Sequence, residues 1–175
     1  MRKLAEIKIG ETFKIADVEF IKVCENDGTT IALTGDIVFN CDFGKNNNFA
    51  NLKIIKRLNN EFMPSIIKAV GEENILVFET DLTTLDGVKT YGKITSKVSL
   101  PTLDFYREHT EIFDKYKLDE WYWLATPWSA LPHYDSSCIL CVAPSGNIGG
   151  NNYGNYGGVR PILHFQSSIF DSCED

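Results

Sequence analysis

Apolar and polar residues alternate along the first forty positions, a period typical of β-strands that bury one face. The alternation predicts strands at residues 12–15, 18–23 and 30–33, followed by a short apolar segment at residues 37–39. Short polar or small interruptions separate these runs, as they do in antiparallel hairpins. The N-terminal part of the chain is therefore predicted to be a meander of three strands.

A helical period replaces this alternation in the next segment. Leu52, Ile55 and Leu58 fall on one helical stripe while lysines and an arginine fall elsewhere, which predicts an amphipathic helix over residues 50–62. Pro64 follows this segment and is expected to end the helix, because proline lacks the backbone N–H that a helix interior requires.

The middle of the chain has weaker patterns. A strand is predicted at residues 75–80 and a second, weak one at residues 89–94. Residues 102–117 are predicted to be helical, with Thr102 as the N-cap and acidic residues in the first turns.

The final third differs in composition from the rest. All three tryptophans lie within residues 121–128, and residues 147–158 contain five glycines, four asparagines and two tyrosines. Apolar runs predict a strand at residues 138–142 and a last strand at residues 159–165.

Three residues in this region are interpreted as structural. Trp121 and Trp123 lie two residues apart, so on a strand they share a face, and we expect them to pack in the core against the last strand. Arg160 lies in a segment expected to be buried, where an arginine is tolerated only if carbonyls or a carboxylate accept its hydrogen bonds.

A recognition surface is predicted around the loop of residues 149–156. Tyrosine, asparagine and glycine are the residue types that dominate adaptable protein-recognition loops. The alternative is a flexible, glycine-rich connection without a binding role. The candidate binding residues, which include a neighbouring loop and the end of the tryptophan-rich segment, are Trp128, His133, Tyr134, Asn152, Tyr153, Asn155 and Tyr156.

Composition and charge limit the function classes. With 43% hydrophobic and 23% charged residues, the chain is expected to form one domain over residues 1–175 that needs no disulfide, metal or cofactor. A net charge of −7 disfavours direct nucleic-acid binding but suits contact with a basic groove of another protein. Five scattered cysteines, with no secretory or membrane-spanning segment, predict a soluble cytoplasmic protein.

The C-terminal third resembles a bacterial domain family of unknown function, with its signature over about residues 121–165. Three segments carry the resemblance: W-Y-W-L-A-T-P at residues 121–127, V-A-P-S-G-N at residues 142–147 and G-V-R-P-I-L at residues 158–163. An I-G-x-x-F strand and an L-N-x-x-F helical segment earlier in the chain extend the similarity. Family members commonly carry arginine at the position of Ala125, so any role of that arginine is absent here.

Such domains resemble the C-type-lectin-like superfamily, which includes formylglycine-generating enzymes and the variable proteins of diversity-generating retroelements. They are often carried by phages and mobile elements. The resemblance implies an α+β, C-type-lectin-like mixed domain with short antiparallel strands, two helices and a long, loop-rich C-terminal region. A shared fold does not by itself transfer an activity.

Three functions remain open at this point. The first is a non-catalytic recognition domain of a phage or mobile element that binds a protein, with the specific hypothesis that it inhibits a host defence system such as a CRISPR effector nuclease. The second is a cysteine-dependent enzyme of formylglycine-generating type, with Cys138 or Cys141 acting beside a histidine. The third is a calcium- or sugar-binding lectin, whose candidate calcium ligands are Asp17, Asp27, Asp42 and Asp135.

Overall fold

Most regular structure in the protein is β-strand, arranged in two main sheets and a separate hairpin. The computed structural model describes residues 1–130, 132 and 136–172. The predicted N-terminal meander is present as the first three strands. In chain order the strands are β1 (Thr12–Ile15), β2 (Val18–Asn26), β3 (Thr29–Thr34), β4 (Phe39–Cys41), β5 (Ile75–Leu76), β6 (Phe78–Asp81), β7 (Lys93–Ser96), β8 (Val98–Ser99), β9 (Tyr122–Pro127), β10 (Cys138–Val142), β11 (Ile148–Asn152), β12 (Gly157–Val159) and β13 (Ile162–Gln166).

The larger sheet joins the two ends of the chain. Its strand order is β1-β2-β3-β13-β5, and β8 pairs with β13 on the same side as β5. Strand β13 lies antiparallel to β3, with Ile162 opposite Leu33 and Gln166 opposite Thr29. The C-terminal signature segment therefore completes the sheet that the N-terminal meander begins.

The second sheet is formed mainly by the C-terminal third. Its strand order is β11-β10-β9-β12-β4, so β11 and β4 are its two edges. Strand β12 runs parallel to β9, with Gly158 opposite Tyr122, while the other pairs are antiparallel. Strands β6 and β7 form the separate two-stranded hairpin.

The first helix is longer than predicted, because Pro64 does not end it. Helices α1 (Lys53–Arg57) and α2 (Met63–Val70) are continuous through a π-helical turn at Leu58–Phe62. Proline disrupts the hydrogen bond to the residue four positions earlier, and a widened turn directly before it accommodates that disruption. The helix ends at Gly71, whose φ of +85° is readily adopted only by glycine.

The second predicted helix is two short helices. These are α3 (Leu103–Glu108) and α4 (Thr110–Lys115), and the helical backbone is interrupted at His109. The Thr102 side-chain oxygen accepts a hydrogen bond from the backbone N–H of Phe105 at 3.1 Å, which confirms the predicted N-cap. No helix in the described part of the chain is long and apolar enough to cross a membrane.

Two apolar clusters hold the layers together. The first includes Phe13, Phe20 and Phe165 of the larger sheet and Phe62 and Ile66 of the long helix. The second places the opposite face of that sheet against α3, α4 and the second sheet. Its buried members include Ile21, Leu33, Leu103, Phe113, Tyr122, Leu124 and Leu140.

The last predicted strand, residues 159–165, is divided between the two sheets. Strand β12 belongs to the second sheet and β13 to the larger one, and Arg160 and Pro161 form the crossing between them. A central strand cannot keep its ladder through a proline, which has no N–H to donate. The G-V-R-P motif is thus the point where the chain changes sheets.

Candidate recognition surface

Trp128 follows the end of β9 and displays its indole, which is 40% exposed. Its backbone N–H donates to the carbonyl of Cys138 at 3.0 Å. The ring packs against Gly150, because a Cβ atom placed on that glycine would be 3.1 Å from Cε3 of Trp128. The indole is therefore exposed on one side and supported by the sheet on the other.

A second exposed apolar side chain, Leu85, belongs to a segment that bonds to the residue before Trp128. The Leu85 N–H donates to the carbonyl of Pro127 at 2.9 Å, and its side chain is 43% exposed. The Ser129 hydroxyl donates to Oδ2 of Asp86 at 2.7 Å, which holds the same two segments together. Nothing in the sequence marks Leu85, since a single leucine in a polar connection has no periodic neighbours.

A buried asparagine fixes the backbone on both sides of the segment that joins β9 to β10. The Asn47 side-chain N–H₂ donates to the carbonyls of Ser129 at 2.6 Å and of Cys138 at 3.2 Å. The Tyr91 hydroxyl donates to Oδ1 of Asn47 at 2.6 Å. Because Asn47 holds both stems, the backbone that carries Trp128 is rigid before any partner arrives.

Only part of the predicted binding set lies at this surface. Asn152 is exposed and pairs with Cys138 in the β10–β11 ladder, and the Cys138 carbonyl accepts from Trp128, so Asn152 lies two strands across from Trp128. His133 and Tyr134 lie outside the described residues. We call the surface formed by Trp128, Leu85 and Asn152 the Trp128 surface.

The first half of the predicted loop of residues 149–156 is a strand. Its first residues belong to β11, which pairs along its whole length with β10, from Val142 opposite Ile148 to Cys138 opposite Asn152. Local composition predicts a loop because Gly and Asn have low strand propensity, but the β10 backbone overrides that preference. The remaining turn, residues 153–156, leads from β11 to β12.

Tyr153 is an anchor of this turn. Its side chain is half-buried against the core. Its N–H donates to the Ser137 carbonyl at 3.0 Å, and its own carbonyl accepts from the Phe43 N–H at 2.8 Å. In the same turn Asn155 is exposed and donates from Nδ2 to Oδ1 of Asn151 at 3.2 Å. A change at Tyr153 would thus disturb packing as well as any contact with a partner.

Tyr156 lies far from Trp128, although its side chain is 75% exposed. Gly158 pairs with Tyr122 at the start of β9, whereas Trp128 follows the end of that strand. The rise of a strand separates these positions by roughly 20 Å. The single binding face expected from the sequence is therefore divided between two ends of the sheet.

The neighbours of Tyr156 belong to the β4 edge. Arg57 lies close enough to interact electrostatically with the Tyr156 phenol. Its guanidinium stacks on the ring of Phe39 at 4.1 Å and pairs with Glu61 at 3.0 Å. The arginine is thus already engaged by its own chain, which makes this edge a weaker candidate than the Trp128 surface.

Cysteine chemistry has little geometric support among the described residues. Burial raises the pKa of the Cys24, Cys41 and Cys141 thiols, which lowers the thiolate fraction that a nucleophile needs. The Cys141 sulfur accepts a hydrogen bond from Nδ2 of Asn151 at 3.3 Å. Cys138 is half-buried beside the Trp128 surface.

The hypothesis of a calcium site is not supported by any cluster of metal-binding side chains within the described ranges. There, no group of three or more His, Cys, Asp or Glu side chains is placed to hold a metal ion. Asp17 and Asp27 occupy separate hairpin turns, and Asp42 pairs with Lys53. Asp135 lies outside the described residues.

The two described histidines lie against phenylalanine rings. His164 of β13 stacks on Phe78 with ring centroids 3.9 Å apart and planes 2° from parallel. Burial lowers the pKa of His164 to about 4. His109 packs against Phe105 at 4.7 Å, and burial lowers its pKa as well.

A pH series should reveal the buried His164. The pKa of His164 is about 4 in the folded protein and 6.5 in the unfolded chain. We therefore expect the unfolding free energy of the wild type to decrease, relative to that of a His164→Phe variant, as the pH falls from 6.5 towards 4. In that interval the unfolded histidine binds a proton and the folded one does not. Urea unfolding of both proteins above and below pH 6.5 measures the difference. A difference that stays constant with pH would contradict this result.

Comparison of the chain with family models, with curated proteins and with solved structures finds no match. The functional assignment therefore rests on the geometry of the described residues. The resemblance carried by the C-terminal motifs stays a prediction.

Proposed function

We propose that the protein is a non-catalytic recognition domain that binds another protein through the Trp128 surface. The observation that carries this proposal is the exposed indole of Trp128, supported by Gly150 and held on a backbone that Asn47 fixes. Tryptophan is enriched among the residues that dominate binding energy, and a side chain that is already ordered loses little entropy on binding.

The partner in this proposal presents a basic surface. The net charge of −7 favours such a partner and disfavours nucleic acid itself. A nucleic-acid channel of a host defence protein, such as a CRISPR effector nuclease, has this chemistry, and a phage or mobile element would gain from blocking it.

The proposal includes a C-type-lectin-like fold. Two features support that finer assignment: β13 completes the sheet of the N-terminal meander, and the C-terminal third forms a second sheet of its own. The motif of residues 158–163 spans the crossing between these sheets, so its glycine, arginine and proline are explained by the path of the chain at this crossing.

Affinity capture with a Trp128→Ala variant tests the proposed surface. Immobilised wild-type protein and the variant are exposed to a lysate of the source cells, and the affinity of the captured protein is then measured. We expect Trp128→Ala to weaken binding about 30-fold, the size of a hot-spot loss of ~2 kcal/mol. The variant should fold normally, because the indole lies on the surface of the sheet.

Two matched variants control the experiment. Phe170→Ala removes another exposed aromatic side chain, remote from β9, and should bind like the wild type. Tyr156→Ala examines the β4 edge without the packing change that Tyr153→Ala would cause. Full binding by Trp128→Ala together with a loss in Tyr156→Ala would move the interface to that edge and refute the proposed surface.

A further inference from the structure

A small cavity with aromatic walls opens between the β6–β7 hairpin, helix α3 and β13. Its volume is about 160 Å³, and Phe78, Phe105 and His164 line it together with apolar residues of the larger sheet. The apolar lining includes Ile31 and Ile162. None of the three residues of the Trp128 surface lines this cavity, although Leu85 lines the adjoining one.

The aromatic walls are fixed by their neighbours. Phe78 and His164 stack in parallel at 3.9 Å, and Phe105 packs edge to face against Phe113 with centroids 6.2 Å apart. Because the pKa of His164 is about 4, its ring is neutral at pH 7 and does not repel a cation. Rigid, uncharged aromatic walls suit a cationic ligand, which can lie against the ring faces that this stack leaves free.

Carboxylate residues line both cavities. Glu79 lines this cavity and also the adjoining one of about 410 Å³, which Asp81 and Asp104 line as well. Among the described residues, Arg107 is the one arginine or lysine that lines either of them, and it pairs with Asp104. Glu79 pairs with Lys93 at 2.9 Å, but both side chains are more than half exposed, so a ligand's cation can replace this lysine at little cost.

We propose that these two cavities bind an arginine side chain of a basic peptide segment. The guanidinium would lie against the aromatic walls and donate to the Glu79 carboxylate, while its aliphatic stem contacts the apolar lining. Arginine suits the site better than lysine because its planar head both stacks on rings and binds a carboxylate with two hydrogen bonds. The carboxylates of the adjoining cavity favour a segment with further positive charge.

Amide shifts of the ¹⁵N-labelled protein test this site with defined probes. One probe is a short acetylated and amidated peptide with a central arginine between alanines and glycines, and the second replaces that arginine by citrulline, which has the same shape and no charge. We expect the arginine peptide to shift amides of Phe78, Glu79 and His164 and to bind about tenfold more tightly than the citrulline peptide. Equal binding of the two peptides, or shifts confined to other residues, would overturn the proposal.

A small cation and two variants complete the test. Butylguanidinium that binds as tightly as the arginine peptide would show a site for free organic cations and overturn the assignment to a peptide. We expect Glu79→Gln to weaken the arginine peptide about fivefold to tenfold, whereas Glu73→Gln, which removes the same charge from an exposed site outside both cavities, should leave its affinity unchanged. If both variants weaken the binding of the arginine peptide equally, the loss comes from the change in net charge alone, and the proposed site is refuted.

Discussion

An Arg160→Met variant is expected to lose about 3 kcal/mol or more of unfolding free energy, because the side chain is fully buried and satisfies buried acceptors. Its Nε donates to the Thr34 carbonyl at 2.9 Å, Nη1 to the Tyr122 hydroxyl at 3.2 Å and Nη2 to the Gly35 carbonyl at 3.4 Å. A methionine of similar length fills space but leaves these oxygens without donors.

The position of Arg160 explains why the loss should be large. The residue lies where the chain passes from β12 to β13, and its guanidinium also lies 5.1 Å from the centre of the Tyr122 ring. It therefore connects the end of β3 in the larger sheet to β9 in the second sheet. Without it, the junction of the two sheets keeps its apolar contacts but loses its polar bridge.

Urea unfolding of three proteins separates the bridge from general packing. Tyr122→Phe removes one acceptor of Arg160 and keeps the ring, so its expected cost is only about 1 kcal/mol. Arg160→Lys keeps a charge but cannot reach three acceptors in one plane, so we expect an intermediate loss. An Arg160→Met variant within about 1 kcal/mol of the wild type would show that water satisfies these carbonyls and would contradict the bridge.

The sequence predicted elements whose causes are local. Alternation over residues 12–15, 18–23 and 30–33 predicted the meander. The N-cap at Thr102 was predictable because its hydrogen-bond partner, the N–H of Phe105, is only three residues away. The prediction over residues 50–62 ended the helix too early, because a π-helical turn carries it past Pro64. The prediction over residues 159–165 had wrong limits because the change of sheet depends on pairing with distant strands. Local patterns do not contain that information.

The site was less predictable than the fold for the same reason. Trp128 could be selected because it ends the tryptophan-rich segment of residues 121–128, a feature of composition. Asn47 could not, since its amide acts on a carbonyl 91 residues away at Cys138. Gly150 was predicted to be a loop glycine, and its role beneath the indole depends on the register of β11 with β10.

A Gly157→Ala variant is expected to lose about 2–3 kcal/mol of unfolding free energy through overpacking. A Cβ atom on Gly157 would overlap the Trp121 ring and lie 2.7 Å from Cε2 of Trp123, closer than real Cβ contacts. Trp121 is half-exposed and can move, but Trp123 is fully buried and donates from Nε1 to the Cys41 carbonyl at 3.2 Å. The added methyl group must therefore displace the strand or break that hydrogen bond.

Gly149→Ala is the matched control, because it makes the same chemical change in the same sheet. The nearest atom to a Cβ at Gly149 is the Cys141 sulfur at 3.7 Å, an ordinary contact, so we expect a change within about 0.5 kcal/mol. Urea unfolding followed by tryptophan fluorescence reports the stability and the average environment of the three indoles. Equal stability of the two variants would mean that the indoles do not pack closely on Gly157 and would contradict the overpacking argument.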